Sequence, residues 1–242
     1  MDYTYSVAVI TGAESGIGEQ TAKKLLENSC HVIGLDFSRT TNGNHKNPNY
    51  QLIQIDITDL EKMQKTIDAV HRDWGRIDIL VNCAGVTSLQ KVDDIKPADW
   101  DRIMDINLKA VFFCCQTVLK YMKVVKRGKI INISSNAGKE GGKAVGAHYS
   151  ASKAGVISLT RSLALDAAEY NININCVAPG PTKTSMTQDW DEGTNKKLKE
   201  KIPLGRFAAP EEIAEAIAFL ASDSADFITG ETLNVNGGLL MD

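Results

Sequence analysis

A phenol and an ammonium stand four residues apart in Tyr149-Ser150-Ala151-Ser152-Lys153. On a helix that spacing puts both groups on one face. A cation beside a tyrosine favours the phenolate and draws its pKa toward working pH, as a general acid or base requires. Tyr-x-x-x-Lys arises easily by chance, and its surroundings give it weight. The strand-like run before it ends in Ser134-Ser135, close to where a doubly wound sheet binds ligands.

A second stretch suits a dinucleotide. Val7-Ala8-Val9-Ile10 runs straight into Thr11-Gly12-Ala13-Glu14-Ser15-Gly16-Ile17-Gly18, and a helical segment follows. A glycine-rich strand-to-helix turn lets backbone approach a pyrophosphate, and the helix N-terminus offers free N–H groups and a positive dipole end. The spacing is G-x-x-x-G-x-G rather than the common G-x-G-x-x-G, and a plain tight turn also accounts for it. The next strand ends at Asp36, twenty residues past Gly16. An acid there accepts hydrogen bonds from the adenosine ribose and repels a 2′-phosphate, which favours NAD(H) over NADP(H). Arg39 is the nearby cation that weakens this argument, and a strand-end turn residue is the plainer reading of Asp36.

These residues need strands and helices to hold them. Ser6–Thr11, His31–Asp36, Gln51–Ile55, Ile77–Asn82, Lys129–Ser134, Ile172–Val177 and Thr232–Val235 read as strands, several of them apolar throughout, as in strands covered on both faces. Helical period fills Ser15–Asn28, Asp59–Trp74, Ala98–Lys123, Tyr149–Tyr170 and Pro210–Ala221. Thr58 to Glu61 has capping-box spacing, and Pro210-Glu211-Glu212 suits a first turn. The alternation predicts an α/β fold: one domain over residues 1–242, a doubly wound (Rossmann) parallel sheet of about seven strands with helices on both faces. Thr40–Asn49 reads as a polar surface loop. Thr182–Pro203 is long for a connection in such a fold, and reads as a substrate lid or as a solvated excursion.

Bulk properties narrow the setting. The chain of 242 residues is 43% hydrophobic and carries a formal net charge of −3, without a basic footprint for nucleic acid or a membrane surface. Its five cysteines show no CxxC pair and no Cys/His ligand spacing, and most sit in apolar runs. That usage suits a reducing cytoplasm. The first strand begins too soon for a signal peptide, and no apolar run approaches membrane-spanning length.

Thr11–Gly18, Asn82-Cys83-Ala84-Gly85, Asn107, Ser135, Tyr149, Lys153 and Pro179-Gly180 follow the order seen in the short-chain dehydrogenase/reductases. The resemblance covers about Ser6 to Gly238 and ends in Val235-Asn236-Gly237-Gly238. It implies Tyr149 as proton donor and acceptor, and Lys153 as the residue that holds the nicotinamide ribose and tunes Tyr149. Ser135, in Ser-x-x-Gly, would polarise the substrate oxygen, with Ser134 as runner-up, and Asn107 would anchor a water relay. Gly12, Ser15, Gly16, Ile17 and Gly18 would carry the pyrophosphate and Asp36 the ribose. Asp56 with Ile57 would flank adenine, Asn82, Ala84 and Gly85 would line the adenosine ribose, and Pro179, Gly180, Thr182 and Thr184 would hold the nicotinamide end. The resemblance also implies a homotetramer for this chain, with a dimer second. Departures are Cys83 for a second asparagine, Asn236 for an aspartate common near the last glycines, and one extra residue between Ser135 and Tyr149.

The expected reaction moves a hydride between NAD(H) and the CH–OH or C=O carbon of an alcohol, polyol, sugar, hydroxy acid or hydroxysteroid. Ser135 and Tyr149 supply the polarisation, so no metal is called for. Lys139, Lys143 and His148 would suit a hydroxylated or acidic substrate, although a solvated glycine-rich loop explains them as well. Met186 and Trp190 would instead cover an apolar one. One rival is a 3-oxoacyl-thioester reductase, generally NADPH-linked. Another is a non-catalytic NAD-sensing regulator, which tends to lose the tyrosine or lysine. Enoyl reductases space that pair more widely.

Overall fold

A computed structural model describes residues 3–38, 43–142, 144–188 and 192–241, with the side chains of 43 and 194 left out. Arg39, Lys143 and Trp190, all raised by the sequence, lie outside the described residues.

Seven strands form one sheet: β1 (Val7–Thr11), β2 (His31–Asp36), β3 (Tyr50–Gln54), β4 (Ile79–Asn82), β5 (Gly128–Ile133), β6 (Ile172–Pro179) and β7 (Thr232–Val235). Their order is β3-β2-β1-β4-β5-β6-β7, every pairing parallel. The expected doubly wound fold is therefore the observed one. The winding reverses between β1 and β4, where Thr11 lies in register with Asn82. A crevice opens at such a reversal, outside the strands' carboxyl ends.

Alternation along β1 shows why both faces are apolar. Val7 and Val9 join a core with Ile67 and Val118, whereas Ala8 and Ile10 join one with Leu25 and Ile217. Helices α2 (Leu60–Trp74) and α4 (Ala110–Val125) cover the first face, and α1 (Gly16–Glu27) the second. The remaining helices are α3 (Pro97–Met104), α5 (Asn136–Glu140), α6 (Ala147–Ala167), α7 (Ser185–Gln188), α8 (Glu192–Lys201) and α9 (Pro210–Ala221), which packs beside α1.

Several local expectations are corrected. The single helix over Ala98–Lys123 is broken by a π-helical turn at Asp105–Lys109. Such a turn re-aims one residue, and here Asn107 is wholly buried. The cap of α2 is Asp59, whose carboxylate accepts from the Lys62 N–H, not Thr58, whose hydroxyl donates to Asp56 at 2.7 Å. The 40–49 loop holds a 3₁₀ turn at Gly43–Lys46, and 182–203 holds two helices, α7 and α8. Helix α5 carries too short a pattern to be read in advance. Pro210 does open α9, where Glu212 accepts from the Ala209 N–H at 2.8 Å and pairs with Arg206.

Candidate active site

The carboxyl ends of β1, β4, β5 and β6 converge on a cavity of about 580 Å³ lined by Ser135, Tyr149 and Lys153. Ser135 caps α5 and accepts from the Ala137 N–H at 3.1 Å. Tyr149 and Lys153 come from the first turns of α6. Ser134 is buried and donates its hydroxyl to the Lys153 carbonyl at 2.7 Å, pinning α6 to the end of β5. Both serines border the cavity, but the Ser134 hydroxyl donates its proton to the helix, whereas the Ser135 hydroxyl has its proton free for the cavity side. Gly138 explains the Ser-x-x-Gly spacing, because a Cβ there would stand 2.7 Å from the Lys153 carbonyl carbon.

Burial drives the electrostatics. Tyr149 sits above its ordinary pKa range because it is desolvated, and a hydrogen bond with Ser135 works against the rise. Lys153 is pushed down to about 8 by burial. Its Nζ donates to the Ile133 carbonyl at 2.8 Å and lies 6.0 Å from the centroid of the Tyr149 ring. The direct contact of Lys153 with Tyr149 expected from their spacing is absent: the ammonium is turned to a carbonyl, and desolvation is the larger influence on the phenol. Asn107 presents both ends of its amide to Val86, accepting from its N–H and donating to its carbonyl, each at 2.9 Å, and also donates to Ser152 at 3.2 Å. Gly85 runs close by: a Cβ would lie 3.3 Å from Asn107 Oδ1 and 3.4 Å from Lys153 Nζ.

The glycine loop is built for close approach. A Cβ on Gly12 would meet Ala84 Cα at 2.8 Å, and one on Gly18 would meet the Gly12 carbonyl oxygen at 1.9 Å. Thr11 Oγ1 accepts from the Ala84 N–H at 3.1 Å, locking this loop to the one after β4. Ser15 caps α1 without using its side chain, next to Gly16 and Ile17, and Gly16 faces Thr184. First-turn N–H groups there have no intrahelical partner. Asp36 is held from two sides: Oδ2 accepts from Glu14 N–H at 3.0 Å, and Oδ1 from Ser38 N–H and hydroxyl at 2.9 and 2.8 Å. Glu14 is itself buried, taking a hydrogen bond from Tyr50 at 2.7 Å, with His45 Nε2 2.9 Å from its other carboxylate oxygen. The cradle between Gly12, Gly85 and the start of α1 fits a dinucleotide pyrophosphate on this geometry.

Other expected contacts are placed differently. Asn82 turns its amide inward, donating to Asn132 Oδ1 at 2.8 Å and Cys115 Sγ at 3.3 Å, so its side chain does not face a ribose. Ile57 packs into the core beneath the sheet, leaving only its backbone beside Asp56, whose Oδ1 accepts from Thr58. At the other end, Thr182 donates to the Gly180 carbonyl at 2.9 Å, Thr187 donates to Thr182 and accepts from Thr184, and Pro179, Gly180 and Thr184 line the cavity. Neither Lys139 nor His148 lines it: Lys139 reaches the Thr232 carbonyl, and His148 is wholly buried against Trp100. Met186 does line it, with Cys83, Glu140, Leu198 and Lys201. Leu198 and Lys201 fall within the 182–203 segment read as a lid but were not singled out as site residues; the three-residue step between them was the available signal.

Comparison with known proteins follows the same line. A family model described as Enoyl-(Acyl carrier protein) reductase matches residues 12–240. The 3-oxoacyl-[acyl-carrier-protein] reductase FabG of Thermotoga maritima is 38% identical over 97% of this chain and 98% of its own. FabG proteins of other bacteria match at 36–40% identity. The NAD-dependent glycerol dehydrogenase of Listeria innocua is 39% identical over 97% of this chain and 94% of its own. Among solved structures, gox2181 superposes with a TM-score of 0.93 at 34% identity, covering 99% of this chain and 96% of that one. Several of these relatives bear the name of a 3-oxoacyl reductase and one that of a glycerol dehydrogenase. From fold, site and relatives together, the chain belongs to the short-chain dehydrogenase/reductase family of oxidoreductases.

Proposed function

We propose that this protein reduces the 3-oxo group of an acyl thioester to a secondary alcohol with a nicotinamide dinucleotide as partner. The observation that carries the reading is the meeting of Ser135, Tyr149 and Lys153 in one cavity wall, in a chain whose relatives repeatedly bear the name 3-oxoacyl reductase. A bound nicotinamide ring supplies the hydride. Gly12, Ser15, Gly16, Ile17 and Gly18 would hold the pyrophosphate and Asp36 the ribose hydroxyls. Asp56 and the backbone of Ile57 would flank adenine, Ala84 and Gly85 would border the adenosine side, and Pro179, Gly180, Thr182 and Thr184 the nicotinamide side. Ser135 donates to the substrate oxygen and holds it. Tyr149 then delivers its phenolic proton to that oxygen, and burial suits it to this step by keeping it protonated at neutral pH. Lys153, while cationic, stabilises the phenolate left behind. Asn107 holds the loop at Val86 against the lysine. The 182–203 segment acts as a lid, contributing Met186, Leu198 and Lys201.

A second reading is the reverse chemistry, oxidation of a polyol with NAD⁺. Asp36 supports it, because its anchored carboxylate selects a ribose hydroxyl over a phosphate, and so does the likeness to an NAD-dependent glycerol dehydrogenase. Steady-state assays separate the two. Acetoacetyl-CoA reduction with NADH or NADPH, faster in kcat/KM than glycerol or sorbitol oxidation with NAD⁺, supports the thioester reading; the opposite order overturns it. NADH is the expected reductant.

No helix among the described residues is long and apolar enough to cross a membrane, and five free thiols fit work in the cytoplasm. A homotetramer is the proposed assembly. On α4 and α6, Val111, Val156 and Ile157 belong to the core, while Phe112, Phe113 and Leu159 are half-buried apolar side chains that an assembly surface would use. Light scattering at tetramer mass tests this.

A further inference from the structure

Asn236 departs from the aspartate expected from the family resemblance, and the structure gives its amide a task that a carboxylate cannot do. The residue is buried after β7, and its amide bonds one residue of α5 and two of the C-terminal tail. Its Oδ1 accepts from the Gly238 N–H at 2.9 Å. Its Nδ2 donates to the Leu240 carbonyl at 2.9 Å and to Asn136 Oδ1 at 3.1 Å. Those partners settle which end of the amide is nitrogen, since an N–H cannot be accepted by Nδ2 and two acceptors need a donor. The orientation of Asn136 follows: its oxygen meets Asn236, and its own Nδ2 is left buried without a partner.

Asn136 is the first residue of α5, directly after Ser135. The far side of Asn236 is equally engaged. The backbone of Gly180 passes so close that a Cβ there would stand 2.9 Å from Asn236 Cα. The next residue, Gly237, accepts from the Leu204 N–H at 3.1 Å and packs on Ile202, while Gly238 packs on Pro203. The Asn236 amide therefore joins the serine's helix to the C-terminal tail, and the backbone of Gly237 and Gly238 joins the tail to residues 202–204.

We propose that Asn236 is a positioning residue for Ser135, acting through Asn136, and that it couples the serine to the 202–204 segment. An aspartate at 236 would still accept from Gly238 but could donate to neither Asn136 nor Leu240. The proposal rests on the reading of Ser135 given above, and its test has one arm independent of turnover. In hydrogen exchange on the whole protein, Asn236→Asp should speed exchange about fivefold or more in both 136–140 and 202–205. Asn136→Asp keeps an acceptor for the Asn236 amide and should exchange like wild type. In the activity arm, Asn236→Asp should lower kcat about tenfold with the KM for NADH unchanged. The double variant Asn236→Asp/Asn136→Leu should lose no more than the worse single one. Unchanged exchange at 136–140, or losses that multiply in the double variant, would overturn the coupling. A wild-type protein that turns over neither acetoacetyl-CoA nor a polyol would refute the activity reading, while exchange still decides the tether.

Discussion

Lys153 Nζ donates to the carbonyl oxygen of Ile133 at 2.8 Å, so the ammonium is anchored to the last residue of β5 and not to the phenol it is meant to assist. Its pKa of about 8 reflects burial, not contact with Tyr149. A pH dependence follows. Reduction needs Tyr149 protonated and Lys153 cationic, and Tyr149, held above its usual range, keeps its proton throughout. The kcat for reduction should be level below neutrality and fall as pH passes about 8. A level profile to pH 10 would show that the lysine charge is not used.

The same shift has a sign in stability. Between about pH 8 and the ordinary lysine value near ~10.4, the unfolded chain keeps a proton that the folded one sheds. Folding is therefore penalised by the buried ammonium below pH 8, and the penalty shrinks as pH rises through that window. Lys153→Met should exceed wild type in Tm by a margin that narrows from pH 7 to pH 9.5. A margin that widens would reverse the assignment.

Tyr149→Phe removes the proton donor and leaves the ring. Turnover should fall by roughly 10²- to 10⁴-fold. NADH binding, followed by fluorescence, should stay within about twofold, because none of the glycine-loop contacts involves the hydroxyl. A variant that kept full turnover would remove Tyr149 from the reaction.

Asp36→Ala takes away a carboxylate that two backbone N–H groups, of Glu14 and Ser38, hold in place. The ratio of Kd for NADPH to that for NADH should drop about tenfold, through lost repulsion of the 2′-phosphate and lost bonds to the ribose. Calorimetric titration of each nucleotide reads it directly. An unaltered ratio would mean that Asp36 serves only its turn.

Asn107→Ala strands both the N–H and the carbonyl of Val86, which the amide satisfies at 2.9 Å each. The cost should be about 2–4 kcal/mol from two buried unpaired groups, seen as a lower denaturant midpoint. Activity should fall further than stability explains, because Gly85 and Lys153 share that wall. Asn107→Asp, which keeps the acceptor and loses the donor, should fall between.

Much of this was legible from the chain alone, for reasons of period and local chemistry. Helical geometry puts residues four apart on one face, so Tyr149 and Lys153 were paired before any coordinates. Apolar runs mark strands buried on both sides, and glycines between strand and helix mark close backbone contact, as Gly12 and Gly18 show. Direction of side chains across the fold was not legible. Adjacent serines both border the cavity, and only tertiary packing commits the Ser134 hydroxyl to the Lys153 carbonyl. Asn82, Lys139 and His148 have the right chemistry for a site, but partners far along the chain turned them elsewhere. The π turn that buries Asn107 and the bond between Asn236 and Asn136, 100 residues apart, have no local signature. Spacing along a chain encodes which residues share an element; which groups meet across elements is decided only when the sheet closes and buried polar atoms compete for partners.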